Sequence, residues 1–161
     1  MKRLMDMHTH AVASGHAYST VDENLRWAAE QGLQLVALTD HAPAMKDTTC
    51  HAYFANLHVL PEMLHGVRLL KGIELNILDR NGSVDLDQEL LCKLDYAIAS
   101  MHSWNYHPGT RDENTEAFIN VMKNPKKSKY RKKCRGNFFK IYRKRFEILS
   151  TQFTGVFKFT Y

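Results

Sequence analysis

The sequence of 161 residues has few cysteines and no long apolar run. The cysteines at positions 50, 92 and 134 are odd in number and include no CxxC pair, so they do not indicate a disulfide framework. No stretch reaches the roughly 18 apolar residues that a membrane helix needs, and the N-terminus lacks the apolar segment of a signal peptide. We therefore expect no membrane span and a reducing, cytoplasmic compartment.

Acidic residues are almost absent from the last part of the sequence. Residues 126–161 hold twelve Lys or Arg and one acid, Glu147, whereas residues 1–125 hold ten basic and sixteen acidic residues. All nine histidines precede residue 126. Because the composition changes near Pro125, we divide the chain into an N-terminal domain, residues 1–125, and a basic, aromatic-rich tail, residues 126–161.

The N-terminal domain alternates strand patterns with helix patterns. Helices are predicted where Thr20 and Glu23, and again Thr110 and Glu113, have the spacing of a capping box. A short helix is predicted within residues 85–94, and residues 51–66 fit either a helix or irregular structure. Short apolar runs predict four strands, at residues 3–7, 33–40, 67–75 and 95–102. Strands alternating with helices indicate an α/β protein of about four βα units with a parallel sheet.

Residue types that bind metals follow the end of each predicted strand. The intervals from His10 to His41, from His41 to Glu74 and from Glu74 to His102 are 31, 33 and 28 residues, about one βα unit each. The carboxyl ends of parallel strands lie at one edge of a sheet or barrel, where active sites of such folds collect. We therefore expect one site that includes His8, His10, His41, Glu74 and His102, with His16 of the first loop within reach.

Imidazole and carboxylate groups are good ligands for zinc, manganese or iron. In such a site Glu74 would bridge two ions, and Asp6 and Asp40 would accept the second ring N–H of a histidine. Clustered ions would activate a bound water and neutralise charge on a phosphate oxygen. The pattern therefore favours phosphoester hydrolysis, and no serine or cysteine stands in a convincing nucleophile setting.

Each of these motifs alone has an ordinary structural explanation. A single HxH or TDH motif is common in loops, and it is their shared position after successive strands that favours a site. The histidines outside this pattern fit other roles. His51, His58 and His65 recur every seven residues, which is typical of one polar face of a helix, and His107 lies in a turn.

The stretches "DMHTHAVASGHAYST", "LTDHAP", "KGIELNI" and "ASMH" resemble successive motifs of the PHP (polymerase and histidinol phosphatase) superfamily, over about residues 3–125. The similarity is greatest to its small stand-alone bacterial phosphatases. It implies a distorted TIM-like βα barrel with up to three metal ions, usually zinc, that hydrolyses a small phosphorylated substrate. By this resemblance the first metal would take His8, His10 and Glu74, the second His16 and His41, and the third Glu74 and His102.

The sequence also departs from the pattern that the resemblance implies. Later strands should end in a Gly-His-Pro-like motif and in an Asp-x-His pair, but no histidine follows His107 and no aspartate follows Asp112. Each metal would then lack one ligand. We therefore expect a truncated barrel with impaired activity, or alternatively a non-catalytic metal-binding remnant. Open sheet edges would favour oligomers or aggregates.

The tail has several interpretations. The change in composition and the missing motifs favour a gene or reading frame disrupted near residue 125. Alternatively, its basic run followed by aromatic residues would bind nucleic acid, or a basic amphipathic helix would lie on an anionic membrane. A solvated appendage without a binding role is the remaining interpretation.

Overall fold

The computed structural model describes residues 4–123. The tail predicted for residues 126–161 and its boundary at Pro125 lie outside the described residues. Within the described part, the strands are β1 (Met5–Thr9), β2 (Leu35–Leu38), β3 (Met63–Leu64), β4 (Val67–Asn76) and β5 (Tyr96–Ser100). The helices are α1 (Val21–Glu30), α2 (His51–Asn56), α3 (Gln88–Leu91) and α4 (Arg111–Lys123).

Four parallel strands form the sheet, in the order β1, β2, β4, β5. The long strand β4 is central, because its first half pairs with β2 and its second half, Gly72–Asn76, pairs with β5. The two residues of β3 run antiparallel to the start of β4. A parallel order that follows the chain order is that of a βα barrel. The sheet curls into a partial barrel, which confirms the predicted α/β class and TIM-like architecture.

The two long helices begin as their capping-box spacing predicts. At α1, the Thr20 hydroxyl accepts the Glu23 N–H at 3.3 Å and the Glu23 carboxylate accepts the Thr20 N–H at 2.7 Å. Before α4, the Thr110 hydroxyl accepts the Glu113 N–H at 3.3 Å and the Glu113 carboxylate accepts the Thr110 N–H at 2.8 Å. The ambiguous residues 51–66 contain α2, a 3-10 turn and β3.

Hydrophobic side chains pack on both faces of the sheet. The main core includes Leu25 of α1, Phe54 of α2, and Ile73 and Leu75 of β4. A smaller cluster on the other face contains Ala37, Tyr96 and Ile98, with Leu70 packed against it. Because side chains alternate along a strand, Glu74 shares the face of this smaller cluster and lies nearer the carboxyl end of the strands.

A close approach of three strands occurs at Gly72. A Cβ atom at this position would lie 2.8 Å from the carbonyl oxygen of Leu38 and 3.1 Å from that of Tyr96. A side chain at this position would therefore collide with the backbones of both β2 and β5. The spacing of these strands, two residues before Glu74, depends on the missing side chain.

The longest described helix, α4, has 13 residues. No helix within residues 4–123 combines the length and apolar character needed to cross a bilayer.

Candidate metal centre

The six side chains that the sequence predicts as a site lie together at the carboxyl edge of the sheet. His8 lies near the end of β1, and His10 directly follows this strand. His41 comes shortly after the end of β2. Glu74 lies near the end of β4, in the half that pairs with β5, and His102 comes two residues after β5. A 3-10 turn, Val12–Ser14, returns the chain after β1 and brings His16 alongside.

The carboxylate of Glu74 is the centre of this arrangement and is almost fully buried, with 1% of the residue exposed. Its Oε2 atom lies 3.0 Å from His41 Nδ1, 3.2 Å from His8 Nε2 and 3.3 Å from His10 Nε2. Its Oε1 atom lies 3.6 Å from His102 Nε2. Four imidazole rings therefore contact one buried carboxylate.

The potential ligand atoms form three overlapping groups, and within each group all atoms lie within 4.8 Å of one another. The groups are His8, His10 and Glu74; His10, His16 and His41; and His41, Glu74 and His102. The first equals the set expected from the family resemblance. The second adds His10 to its expected pair and the third adds His41, so that these two histidines are shared between groups.

Hydrogen bonds fix where the ring proton of His10 resides. The Ser14 hydroxyl lies 2.6 Å from Asp40 Oδ1, and because a carboxylate only accepts, Ser14 donates this bond. The Ser14 oxygen then accepts the Nδ1–H of His10 at 3.0 Å. A neutral His10 therefore has an unprotonated Nε2 atom, and this atom is the one that faces Glu74.

The same reasoning applies to two more rings. His16 Nδ1 lies 3.0 Å from the carbonyl oxygen of Ser14, which only accepts, so this nitrogen carries the proton. His102 Nδ1 lies 2.7 Å from Asn76 Oδ1, and the amide nitrogen of Asn76 already donates to Asp85 Oδ2 at 2.7 Å. The Nε2 atoms of His16 and His102 are therefore also left with free lone pairs.

The lone pair of His10 Nε2 faces Glu74 Oε2, and that of His102 Nε2 faces Glu74 Oε1. His10 Nε2 also lies 3.0 Å from His8 Nε2. Within the described part of the chain, buried Glu74 Oε2 and His41 Nδ1 have no hydrogen-bond partner, although they lie 3.0 Å apart. Leaving such atoms unpaired in a buried site is costly. A divalent cation between them would satisfy the carboxylate and the imidazoles at once. The residues therefore fit a metal centre that takes nitrogen and oxygen ligands.

The charge states of the site suit this role. Burial alone would raise the pKa of Glu74, but contacts from His10, His41, His8 and the Ser100 hydroxyl hold this pKa well below its ordinary value. Burial lowers the pKa of His102. The arrangement therefore favours an ionised carboxylate beside a neutral imidazole, which are the forms that bind metals.

The structure corrects the roles expected of Asp6 and Asp40, neither of which takes the direct ring contact that was predicted. Asp6 Oδ1 accepts the backbone N–H of His8 at 3.2 Å. Fully buried Asp40 reaches His10 through Ser14, and it also accepts bonds from the Ala11 N–H at 2.8 Å and from the Tyr53 hydroxyl. Asp40 therefore orients a hydroxyl group, and the hydroxyl group orients the ring.

Sequence reasoning missed the neutral side chains that hold the ligands. Ser14, Asn76 and Ser100 are all nearly fully buried and each contacts a candidate ligand. A signal existed for Asn76, because it follows Glu74 by two positions and so shares its face of β4. Two of the histidines expected elsewhere make contacts outside the site: His58 with the carbonyl of Ala55 and His65 with Asp22.

The chain matches the family model described as PHP domain over residues 6–159, and it therefore belongs to the PHP domain family. It is 51% identical over 125 residues to a probable phosphatase of Acetivibrio thermocellus, which covers 78% of this chain and 52% of that protein. A probable phosphatase of Clostridium novyi is 46% identical over 125 residues, covering 78% of this chain and 51% of that protein. One of Photobacterium profundum is 43% identical over 123 residues, covering 76% and 50%. The chain spans about half the length of the curated relatives it matches.

Proposed function

We propose that this chain forms the metal-binding part of a PHP-type phosphatase that hydrolyses a small phosphorylated substrate. The observation that carries the proposal is the convergence of three imidazole nitrogens, from His8, His10 and His41, on the buried carboxylate of Glu74. The relatives named probable phosphatases support the reaction class, since they match the chain across the segment that holds these residues.

In this proposal the six side chains His8, His10, His16, His41, Glu74 and His102 would hold the metal, and Glu74 belongs to two of the three ligand groups. Bound divalent ions would lower the pKa of a coordinated water and neutralise charge on a phosphate oxygen. Ser14 and Asn76 keep ring protons on the Nδ1 atoms of His10 and His102, away from the ligand atoms. His16 is exposed, so a phosphate group would approach from its side of the site.

Zinc is the metal that we propose, because each group brings three of the six residues together, with imidazole nitrogens in all three groups and the Glu74 carboxylate in two of them. Manganese and iron accept the same donors and are the alternatives. The test is elemental analysis of the purified 161-residue chain, with hydrolysis of p-nitrophenyl phosphate measured on the same sample. We expect bound metal and weak hydrolysis in the unmodified chain, and loss of both in His8→Ala and Glu74→Ala.

The controls are His65→Ala and Glu89→Ala, which remove the same residue types from the surface. Metal bound without hydrolysis would instead favour a non-catalytic metal-binding domain, an alternative suggested by the chain covering about half of its relatives. A chain that binds no metal would refute both. The cytoplasmic location, the impaired activity and nucleic-acid binding through residues 126–161 stay predictions from the sequence.

A further inference from the structure

Asp85 lies in the loop between β4 and α3 and connects two segments that lead to the site. Its Oδ1 atom accepts the backbone N–H of Asn76 at 2.9 Å. Its Oδ2 atom accepts the backbone N–H of Ala44 at 2.8 Å and the side-chain amide of Asn76 at 2.7 Å. The carboxylate thus joins the end of β4 to the loop that follows His41.

These bonds determine which way the amide of Asn76 points. The side chain is fully buried, and its nitrogen has two hydrogens to place. One is donated to Asp85 Oδ2 and the other to the carbonyl oxygen of Ala42, at 3.2 Å. Both partners are acceptors only, so a reversed amide would set oxygen against oxygen twice. The Oδ1 atom is therefore directed at His102 Nδ1, 2.7 Å away.

We propose that Asp85 is a positioning residue of the metal centre: it orients Asn76, and through Asn76 it keeps the ring proton of His102 on Nδ1. The Nε2 atom of His102 is thereby left free for a metal, in the group that it forms with His41 and Glu74. The inference rests on the proposed metal centre for its purpose, but the location of the ring proton is a property of the metal-free chain as well.

Both acceptor oxygens of Asp85, and not only its shape, are required. In Asp85→Asn one of the two oxygens becomes an NH₂ group, which then faces an N–H of Asn76 or of Ala44. Donor would oppose donor at either position. The amide of Asn76 would lose its fixed orientation, and the ring proton of His102 would be free to move to Nε2, where it blocks the ligand atom.

Asp95, which directly precedes β5, provides a matched control that contacts the same strand, β4. Its Oδ2 atom accepts the backbone N–H of Lys71 in the middle of β4 at 2.9 Å, just as Asp85 accepts the backbone N–H of Asn76 at the end of β4. Asp95→Asn therefore makes the same chemical change to a carboxylate that holds the same strand. It leaves the amide of Asn76 untouched.

The first experiment is nitrogen-15 NMR of the histidine rings in the full-length, metal-free chain. We expect His102 to carry its proton on Nδ1 in the unmodified chain and in Asp95→Asn, and to shift to Nε2 in Asp85→Asn. A folded Asp85→Asn chain that keeps the proton on Nδ1 would overturn the inference. If that variant does not fold, Asn76→Leu removes the acceptor oxygen and gives the same expected shift, with the same contrary outcome.

The second experiment is a zinc titration in competition with a chromophoric chelator. Loss of a group that orients a ligand weakens metal binding about 10–100-fold, so we expect this loss in Asp85→Asn and a change of less than about twofold in Asp95→Asn. Equal zinc affinity in both variants would contradict a positioning role. An unmodified chain that binds no zinc would refute the proposed function, while the NMR experiment would still decide the location of the ring proton.

Discussion

Two carboxylates within residues 4–123 contact histidines, and their surroundings differ in almost every respect. On the surface, Asp22 accepts bonds from His65 Nε2 at 2.7 Å and from Arg26 Nη2 at 2.6 Å, and 47% of its side chain is exposed. At the edge of the sheet, Glu74 is buried, with 2% of its side chain exposed, and four imidazoles contact it.

The difference lies in the balance of donors and acceptors. Each oxygen of Asp22 has one donor, so this surface cluster is complete without another partner. At Glu74 the ring proton of His10 is committed to Ser14, and that of His102 to Asn76. In these two rings, the nitrogens that face the carboxylate are then acceptors as well. A contact between a histidine and a carboxylate therefore indicates a metal only when the ring nitrogen that faces the carboxylate carries no proton, so that a cation can bind between the two acceptors.

The largest effect is expected from removing the charge at the centre of the buried cluster. Glu74→Gln replaces the central carboxylate with a neutral amide, which is a poor ligand. We expect zinc affinity to fall by more than about 100-fold, beyond the effect of losing an orienting group, as measured by competition titration. Glu89→Gln, on the surface, is the control. Unchanged zinc affinity in Glu74→Gln would contradict the proposed difference between the buried and the surface carboxylate.

The next effect compares a histidine from each cluster. A ligand at 100 times its Kd stabilises a folded chain by about 2.7 kcal/mol, which corresponds to a rise in Tm of roughly 5–10 °C for a chain of this size. We expect zinc to raise the Tm of the unmodified chain and of His65→Ala by this amount, and to raise that of His10→Ala much less. Thermal unfolding with and without a chelator makes the measurement, and equal shifts in both variants would count against the buried cluster as the metal site.

A smaller effect is expected from the hydroxyl group that orients His10. Ser14→Ala frees the ring proton and leaves Asp40 Oδ1 with the Ala11 N–H alone among the donors described above. We expect zinc affinity to fall about 10–100-fold, and Ser14→Thr, which keeps the hydroxyl, to recover part of it. Exposed Ser83→Ala is the control. Full affinity in Ser14→Ala would show that the tautomer of His10 needs no fixing.

The smallest effect belongs to the surface cluster. The hydrogen bonds from His65 and then Arg26 lower the pKa of Asp22 below its ordinary value of 3.8. A carboxyl group with a lowered pKa stabilises the fold above its ordinary pKa, and this contribution disappears as the pH falls through the lowered value. Because the cluster is exposed, we expect Asp22→Asn to reduce the Tm only slightly at neutral pH.

That reduction should shrink in unfolding curves recorded below pH 3.8, and it should vanish once the pH lies below the lowered pKa of Asp22, where the carboxyl group is protonated in the unmodified chain. Zinc affinity should be the same in both chains at neutral pH. A loss of zinc binding in Asp22→Asn would mean that the surface cluster is part of the site.

The strands and the convergence of the six side chains were predictable because both follow from local pattern. Apolar runs mark β2 and β4, and a parallel sheet brings the ends of its strands to one edge. The contacts of Ser14 with Asp40 and of Asn76 with Asp85 were not, because they depend on how loops fold back onto the strand ends. No periodicity of the sequence records that Asp85 reaches Asn76, and the same limit explains why Asp40 was assigned a direct contact with a ring.

Gly72 has a consequence for how this centre can fail. Leu38 and Tyr96 approach it from the neighbouring strands, so even the single methyl group of Gly72→Ala would act as a wedge between them. Widening the sheet there would draw His41 and His102 away from Glu74 and leave all three chemically intact. The separation of the ligand atoms thus depends on Gly72, which contributes no functional group. Inspection of the ligands alone would not reveal such a defect.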